Sequence, residues 1–331
     1  MELKRKSGLT AASTAISPES AATLARKLSP ILFIRSSSAI RKGQVRPRLC
    51  ITKSFANGET TMNVLPVEKQ IQVVSALVEG NSIRATARMV GIEHKTVMRV
   101  LLRVGENCVD LLDSKMQSLP CKIVQADEIW TYVGKKEKRI TADDNPTLVG
   151  DQYVFVAMDS ETKLVPCYRV GKRTSENAWF FIQDLQERLA NRVQLTTDGF
   201  RPYLPAVEDA FGANVDYAML IKTYQEASTQ DKRYSPGEFV NALPIPVTGN
   251  PKQHLISTSH IERQNLTIRM QLRRFTRLTN AFSKKLSHLK AACALHFAWY
   301  NFCRVHSSLR VTPAMEAGIA SQIWTLDALL H

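Results

Sequence analysis

Apolar and polar positions change rhythm several times along the chain. Residues 1–61 have little rhythm beyond an Ala-Ala-Thr-Leu-Ala-Arg-Lys-Leu patch. From Pro66 a helical period takes over, with Val67, Ile71, Val74, Leu77 and Val78 apolar and a stop at Gly80. Asn81 or Ser82 can cap a second helix over Ile83–Val90. Gly91 supplies a tight turn and Ile92 anchors it. The spacing predicts a third helix from about Lys95 to Val104, with Val97, Val100, Leu101 and Val104 inward.

The period then drops to two. Over Ile123–Val133, alternation sets Ile123, Gln125, Asp127 and Ile129 on one face and Val124, Ala126, Glu128 and Trp130 on the other. On a regular strand Asp127 and Glu128 therefore point apart. Gln152–Met158 is a near-continuous apolar run of the central-strand kind. Asp159–Thr162 turns it into Leu164–Val170, a hairpin. Thr174 opens an amphipathic helix through Trp179, Phe180, Ile182, Leu185 and Leu189. Val193–Thr197 is a strand ending at Asp198-Gly199, Tyr203–Phe211 a helix, and Asp216–Tyr224 a further strand.

Residues 225–257 contain Pro236, Pro244, Pro246 and Pro251 with no period, which predicts a mobile flap. Ser259 starts a long basic helix. Ile261, Ile268, Leu272 and Phe275 share its buried face, while Glu262, Arg269 and Arg273 share another. Leu286–Phe302 is an amphipathic helix for packing on the core, and Thr312-Pro313 suits the start of a short one.

The element order is that of an α/β fold, a ribonuclease-H-like mixed sheet with flanking helices, preceded by a small all-α helix-turn-helix domain. The expected boundaries are a disordered basic leader over 1–61, a helix-turn-helix DNA-binding domain over 62–115, and a catalytic domain with C-terminal helices over 120–331. In that layout the first and fourth strands are neighbours, which sets Asp127 beside Asp198.

Charge narrows the partners. Among 331 residues there are 44 Lys+Arg against 30 Asp+Glu, a net charge of +14. Such an excess suits a polyanion. No apolar run approaches the ~20 residues that span a bilayer, so double-stranded DNA is preferred to a membrane. The leader carries eleven Lys+Arg and three Asp+Glu. It reads as a basic arm, as a transit peptide, or as sequence upstream of the true start. The abrupt onset of pattern at Met62 favours the last. Cys50, Cys108, Cys121, Cys167, Cys293 and Cys303 show no zinc-site spacing and read as reduced thiols.

The candidate chemistry lies in three acids. Asp127 and Asp198 close strand-like runs, and Glu262 begins the basic helix. Asp127 or Asp198 alone reads first as a strand-end turn residue, and Ser259-His-Ile-Glu262 offers a capping box that the basic helix after it argues against. Together they offer the oxygen ligands that hard divalent cations require. Two such cations, roughly 3.5–4 Å apart, can clamp the attacking and leaving oxygens of a phosphodiester. From Arg263 to Lys285 there are seven cations and no acid, a suitable track for phosphates. On the third helix Lys95, Thr96, Arg99 and Arg103 face outward, where a major groove would be read.

Three stretches carry a resemblance: Gln125-Ala-Asp-Glu-Ile-Trp-Thr-Tyr-Val-Gly134, Thr197-Asp-Gly-Phe-Arg-Pro-Tyr203 and Ser259-His-Ile-Glu-Arg-Gln-Asn-Leu-Thr-Ile-Arg269. With Gly80–Arg88 upstream, and Tyr300–Leu309 and Thr312–Met315 downstream, they resemble the DDE transposases of bacterial insertion sequences, most closely the insertion-sequence-one family. The resemblance implies Asp127, Asp198 and Glu262 as catalytic metal ligands, Mg²⁺ or Mn²⁺ as cofactor, and cutting and joining at terminal inverted repeats and target DNA. It also implies a cytoplasmic, nucleoid-associated bacterial protein, acting as a homo-oligomer on paired ends. Arg269 and Arg273 would hold phosphates. Some members carry a cysteine zinc site before the helix-turn-helix; this chain has none. A DNA-binding regulator with an idle core, or a nuclease without strand joining, would share these features.

Overall fold

The computed structural model describes residues 64–225, 238–276 and 279–331. The basic leader lies outside them, as does the part of the expected flap at 226–237. Thr61–His331 forms one compact unit.

Three helices come first: α1 (Val67–Val78), α2 (Ile83–Val90) and α3 (His94–Lys115). Ser82 caps α2, its hydroxyl accepting from the Ala85 N–H at 3.1 Å. Gly91 ends α2 in the left-handed conformation at φ 69°, which a side chain would strain. The third helix runs well past the expected Val104, because Cys108 and Leu112 continue its buried stripe. That stripe meets α7 (Leu286–Phe302), which is buried almost throughout its last three turns. The two helices nearly touch: a Cβ on Gly105 would lie 2.5 Å from the Cβ and 2.8 Å from the carbonyl oxygen of Ala291.

The remaining strands form one six-stranded mixed sheet in the order β3-β2-β1-β4-β5-β6. They are β1 (Ile123–Val133), β2 (Gly150–Asp159), β3 (Tyr168–Gly171), β4 (Val193–Thr197), β5 (Val215–Gln225) and β6 (Glu238–Thr248). The first three pair antiparallel, while β4 lies parallel to both β1 and β5. This is the ribonuclease-H-like arrangement expected from the element order. Helices α4 (Ser175–Arg188) and α5 (Tyr203–Phe211) cover the face that carries Phe155, whose ring lies 5.7 Å from that of Phe181. Helix α6 (Ser259–Gln271) covers the other face. There the amides of His260 and Ile261 donate to Gln125 Oε1 at 3.0 and 3.1 Å. A short α8 (Pro313–Glu316) begins at the Thr312 cap.

Three elements differ from the sequence-based expectation. β3 starts only at Tyr168, because Pro166 has no N–H to continue the ladder; Asn301 satisfies both backbone groups of Val165 instead, at 3.1 and 3.0 Å. Residues 238–248, expected in the flap, form β6 on β5. Pro244 and Pro246 are tolerated because they share one parity on an edge strand, so their missing N–H groups face away from β5. The basic helix breaks at Leu272 into a 3₁₀ turn over Arg273–Phe275, and Arg269 Nη1 donates to the Phe275 carbonyl across the break at 3.3 Å.

The helical segment is clamped to the sheet layer by one buried cation. Arg188 at the end of α4 meets Asp113 of α3 at 2.7 Å and Asp184 at 2.8 Å, and also donates to the Leu112 carbonyl at 3.3 Å. Among the described residues no helix is long and apolar enough to cross a membrane.

The closeness of α3 and α7 gives a test of this packing. Gly105→Val forces the helices apart, with an expected loss of about 1–3 kcal/mol. The check is a lower denaturant midpoint at an unchanged slope.

Candidate active site

The site is built where a strand runs out. The parallel pairing of β1 with β4 covers only Ile123–Ala126 against Gln194–Thr197. Beyond Thr197 the β4 backbone turns away, and β1 continues with that edge unpaired until Val133 bridges Ser283. Asp127 and Glu128 are the first residues past that point, and Asp198 is the first past the end of β4.

Their side chains leave opposite faces of β1, as alternation requires. Glu128 stands in register with Phe155 on the α4–α5 face, and Asp127 lies on the α6 face. With no neighbouring strand in the way, both carboxylates curl round the open edge. One oxygen each from Asp127, Glu128 and Asp198 lies within 4.8 Å of the others. Strand alternation alone had kept Asp127 and Glu128 apart; the short β4 removes that barrier.

Each acid is held in place. Asp127 accepts from the Glu128 N–H at 2.7 Å and from Asn265 Nδ2 of α6 at 2.8 Å. Asp198 accepts from the Phe200 N–H at 3.0 Å. Glu128 Oε2 takes the Nε of Arg173 at 3.1 Å. The Tyr203 hydroxyl is near enough to ease the charge of Glu128, yet Glu128 Oε1 remains buried without a well-formed hydrogen bond. Asn265 Oδ1 is likewise buried and unpartnered.

Glu262 is placed differently. It rides on the first turn of α6, one helical turn before Asn265, and stays outside the three-acid cluster. Its Oε1 pairs with Lys222 of β5 and accepts from Thr258 Oγ1 at 2.8 Å. The helix cap is Thr258, and the Ser259 N–H is taken by Ser257 Oγ at 3.2 Å, so the alternative capping box does not form. Asp159, the other strand-end acid, is a turn staple that accepts from the Thr162 N–H and hydroxyl at 2.9 and 2.7 Å.

Burial and like charge dominate the electrostatics. Desolvation first, and then the Asp198 charge, push Asp127 up to about 7, against the pull of the Glu128 N–H. Desolvation and Asp198 also push Glu128 up to about 7, with Tyr203 and Arg173 pulling back. Asp198 is raised too, chiefly by burial. These oxygens suit a hard divalent cation. Glu128 Oε1, with only the Tyr203 hydroxyl near it, and Asn265 Oδ1 are buried acceptors beside them that receive no well-formed hydrogen bond. The residues fit such an ion.

The expected DNA contacts fall into separate regions. Lys95, Arg99 and Arg273 line one cleft of about 860 Å³, together with Arg84, Lys284 and Lys285. Arg269 lines another of about 720 Å³, with Lys135, Lys136, Lys138 and Arg139. Thr96 and Arg103 line neither, and Arg103 reaches back to Gln70 of α1. Sequence reasoning passed over Glu128, Arg173, Lys222 and Asn265. Only Asn265 had a readable signal, since it lies three positions after Glu262 on the same helix face.

No protein-family model matches the chain, and no curated protein does. Among solved structures it is similar to a piggyBac transposase synaptic complex with hairpin DNA, at 11% identity over 83% of this chain and 71% of that one, with a TM-score of 0.36. It is also similar to a pre-cleavage Mos1 transpososome, at 14% identity over 49% of this chain and 61% of that one, with a TM-score of 0.18. Likenesses this slight bear no functional weight.

The pKa directions fix the pH response of the metal-free protein. Asp127 and Glu128 hold protons in the folded state up to about pH 7 that the unfolded chain releases near its ordinary carboxylate range. Stability therefore falls as pH rises through that window. Asp127→Asn removes one of the crowded charges, and a turned Asn265 amide can bond the new amide through its orphaned Oδ1. The variant should melt higher than wild type at pH 7.5 without divalent cations, in a thermal scan. Mg²⁺ should narrow the gap by stabilising wild type alone.

Proposed function

We propose that the chain is a DNA transposase of the DDE type, which cuts DNA at the ends of an insertion sequence and joins the freed 3′-OH to target DNA. The observation that carries this reading is the meeting of Asp127 and Asp198, from parallel neighbouring strands, in one half-buried acidic cluster. The motifs around Asp127, Asp198 and Glu262 support it, as does the net charge of +14.

Asp127, Asp198 and Glu128 hold a divalent cation, Mg²⁺ or Mn²⁺. Bound there, such a cation lowers the pKa of water and offsets charge on a phosphate under attack. The protein's own part is orientation. The Glu128 N–H and Asn265 fix Asp127, and the Phe200 N–H fixes Asp198. Glu262 completes the acid set when its pair with Lys222 opens, and Thr258 keeps it on the near side of α6. No Ser, Tyr or Cys nucleophile is needed.

Helices α1 to α3 serve as a helix-turn-helix module for the terminal repeat, with Lys95, Thr96 and Arg99 toward DNA and Arg103 tying α3 to Gln70 of α1. Arg273 and Arg269 take phosphates from the sides of the two basic clefts. Two ends joined in one reaction call for at least two copies of the chain.

One other reading has an observation in its favour. The Lys222–Glu262 pair keeps the third acid out of the cluster, as would suit a DNA-binding regulator with an idle core. Plasmid nicking separates the two. Wild type in Mg²⁺ or Mn²⁺ should nick a supercoiled plasmid, and Asp198→Asn should fall to background. Nicking by Asp198→Asn at the wild-type rate contradicts the mechanism, and binding without nicking by wild type points to the regulator.

The basic clefts give a second test. Replacing Lys95, Arg99 and Arg273 together by Ala should weaken binding of any duplex. The slope of log K against log salt should shrink by about 1 for each phosphate that is no longer neutralised. An unchanged slope in a filter-binding titration removes these residues from the interface.

A further inference from the structure

One cation beside the acids has no part in the mechanism so far. Arg173 stands in the link between β3 and α4, and its guanidinium is held from two directions. Its Nε meets Glu128 Oε2 at 3.1 Å, and its Cζ sits 3.9 Å from the centroid of the Phe200 ring. Nη2 comes only to 3.8 Å of Asp198 Oδ2, beyond hydrogen-bond range. Nη1 has no partner among the described residues.

The two ends of the Glu128–Arg173 pair differ in burial. The Glu128 side chain is 2% exposed and that of Arg173 38%. One is a fixed anchor, and the other presents an open edge toward the acids. Arginine pairs that serve only to neutralise a carboxylate favour two parallel bonds. Here Glu128 receives a single bond from Nε, and its Oε1 receives no well-formed one. The free side of the fork is thus spared. Phe200 couples this arrangement to the site, because its ring carries the guanidinium while its N–H holds Asp198.

We propose that Arg173 is a substrate-binding residue whose fork holds a non-bridging oxygen of the phosphodiester beside Asp127 and Asp198, with Glu128 and Phe200 as its positioning residues. The inference rests on the phosphodiester reading of the site. An anionic diester approaching three carboxylates meets repulsion, and a guanidinium fixed at their margin offsets it on the approach side. A planar fork matches two phosphate oxygens, which the point charge of a lysine does not. Glu128 therefore acts through Arg173 as well as through the acid cluster.

The test uses the full chain and supercoiled plasmid in Mg²⁺ or Mn²⁺, with plasmid binding measured in Ca²⁺ and folding followed by thermal melting. Arg173→Ala and Arg173→Lys should nick roughly 10²-fold more slowly than wild type while binding plasmid comparably. Glu128→Gln should be slowed as well. Duplexes carrying one neutral methylphosphonate at each position in turn separate a phosphate contact from a structural role. Neutralising the contacted phosphate should slow wild type but add nothing to the defect of Arg173→Ala. Additive losses overturn the assignment. So does a wild-type rate in Arg173→Ala, and if Asp198→Asn is then inactive the transposase reading still stands. Should Arg173→Ala fail to fold, Arg173→Lys decides, since it keeps the charge and loses the fork; a wild-type rate there overturns the fork. A wild-type chain that nicks nothing overturns both readings.

Discussion

The site depends on where one hydrogen-bonded ladder stops. The β1–β4 pairing ends at Ala126 and Thr197, and the next residue on each strand is an aspartate. The same ending leaves the β1 edge open, so Glu128 can bring its carboxylate round from the opposite face. If β4 were two residues longer, its backbone would lie between the two sides of the sheet and Glu128 would stay with Phe155 and Tyr203. A short strand thus makes a three-acid site out of a two-acid one.

Crowding three carboxylates out of water is unfavourable, and the surrounding groups are arranged to limit the cost. Backbone N–H groups meet Asp127 and Asp198, a side-chain amide meets Asp127, and Arg173 meets Glu128. Even with the Tyr203 hydroxyl near Glu128, well-formed bonds are too few for the acceptors present, as Glu128 Oε1 and Asn265 Oδ1 show. Active sites commonly retain such local instability, which the rest of the fold must support. Here the support is substantial: α7 is buried on nearly all sides, and α3 packs along it at glycine distance.

Much of this was legible in the chain itself. The β1, β4, α4 and α5 boundaries follow from apolar period and capping residues, and strand order alone sets Asp127 beside Asp198. What escaped has identifiable causes. β6 was hidden because prolines read as loop, and only its place on the sheet edge makes Pro244 and Pro246 acceptable. The break after Gln271 left no mark in a periodic run whose apolar positions continue through Phe275. Glu128 was assigned away from the site by a rule that holds for strands with neighbours on both edges. Arg173 and Lys222 are single basic residues in a basic chain, and only their distances to Glu128 and Glu262 single them out.

The central claim is that Asp127, Glu128 and Asp198 form one ion-binding site at the open edge of β1. The most direct measurement is an anomalous difference map from crystals of the full chain soaked in Mn²⁺. The expected result is a peak within coordination distance of carboxylate oxygens from both Asp127 and Asp198, and its loss in Asp198→Asn. No peak there, or one that persists unchanged in the variant, would contradict it.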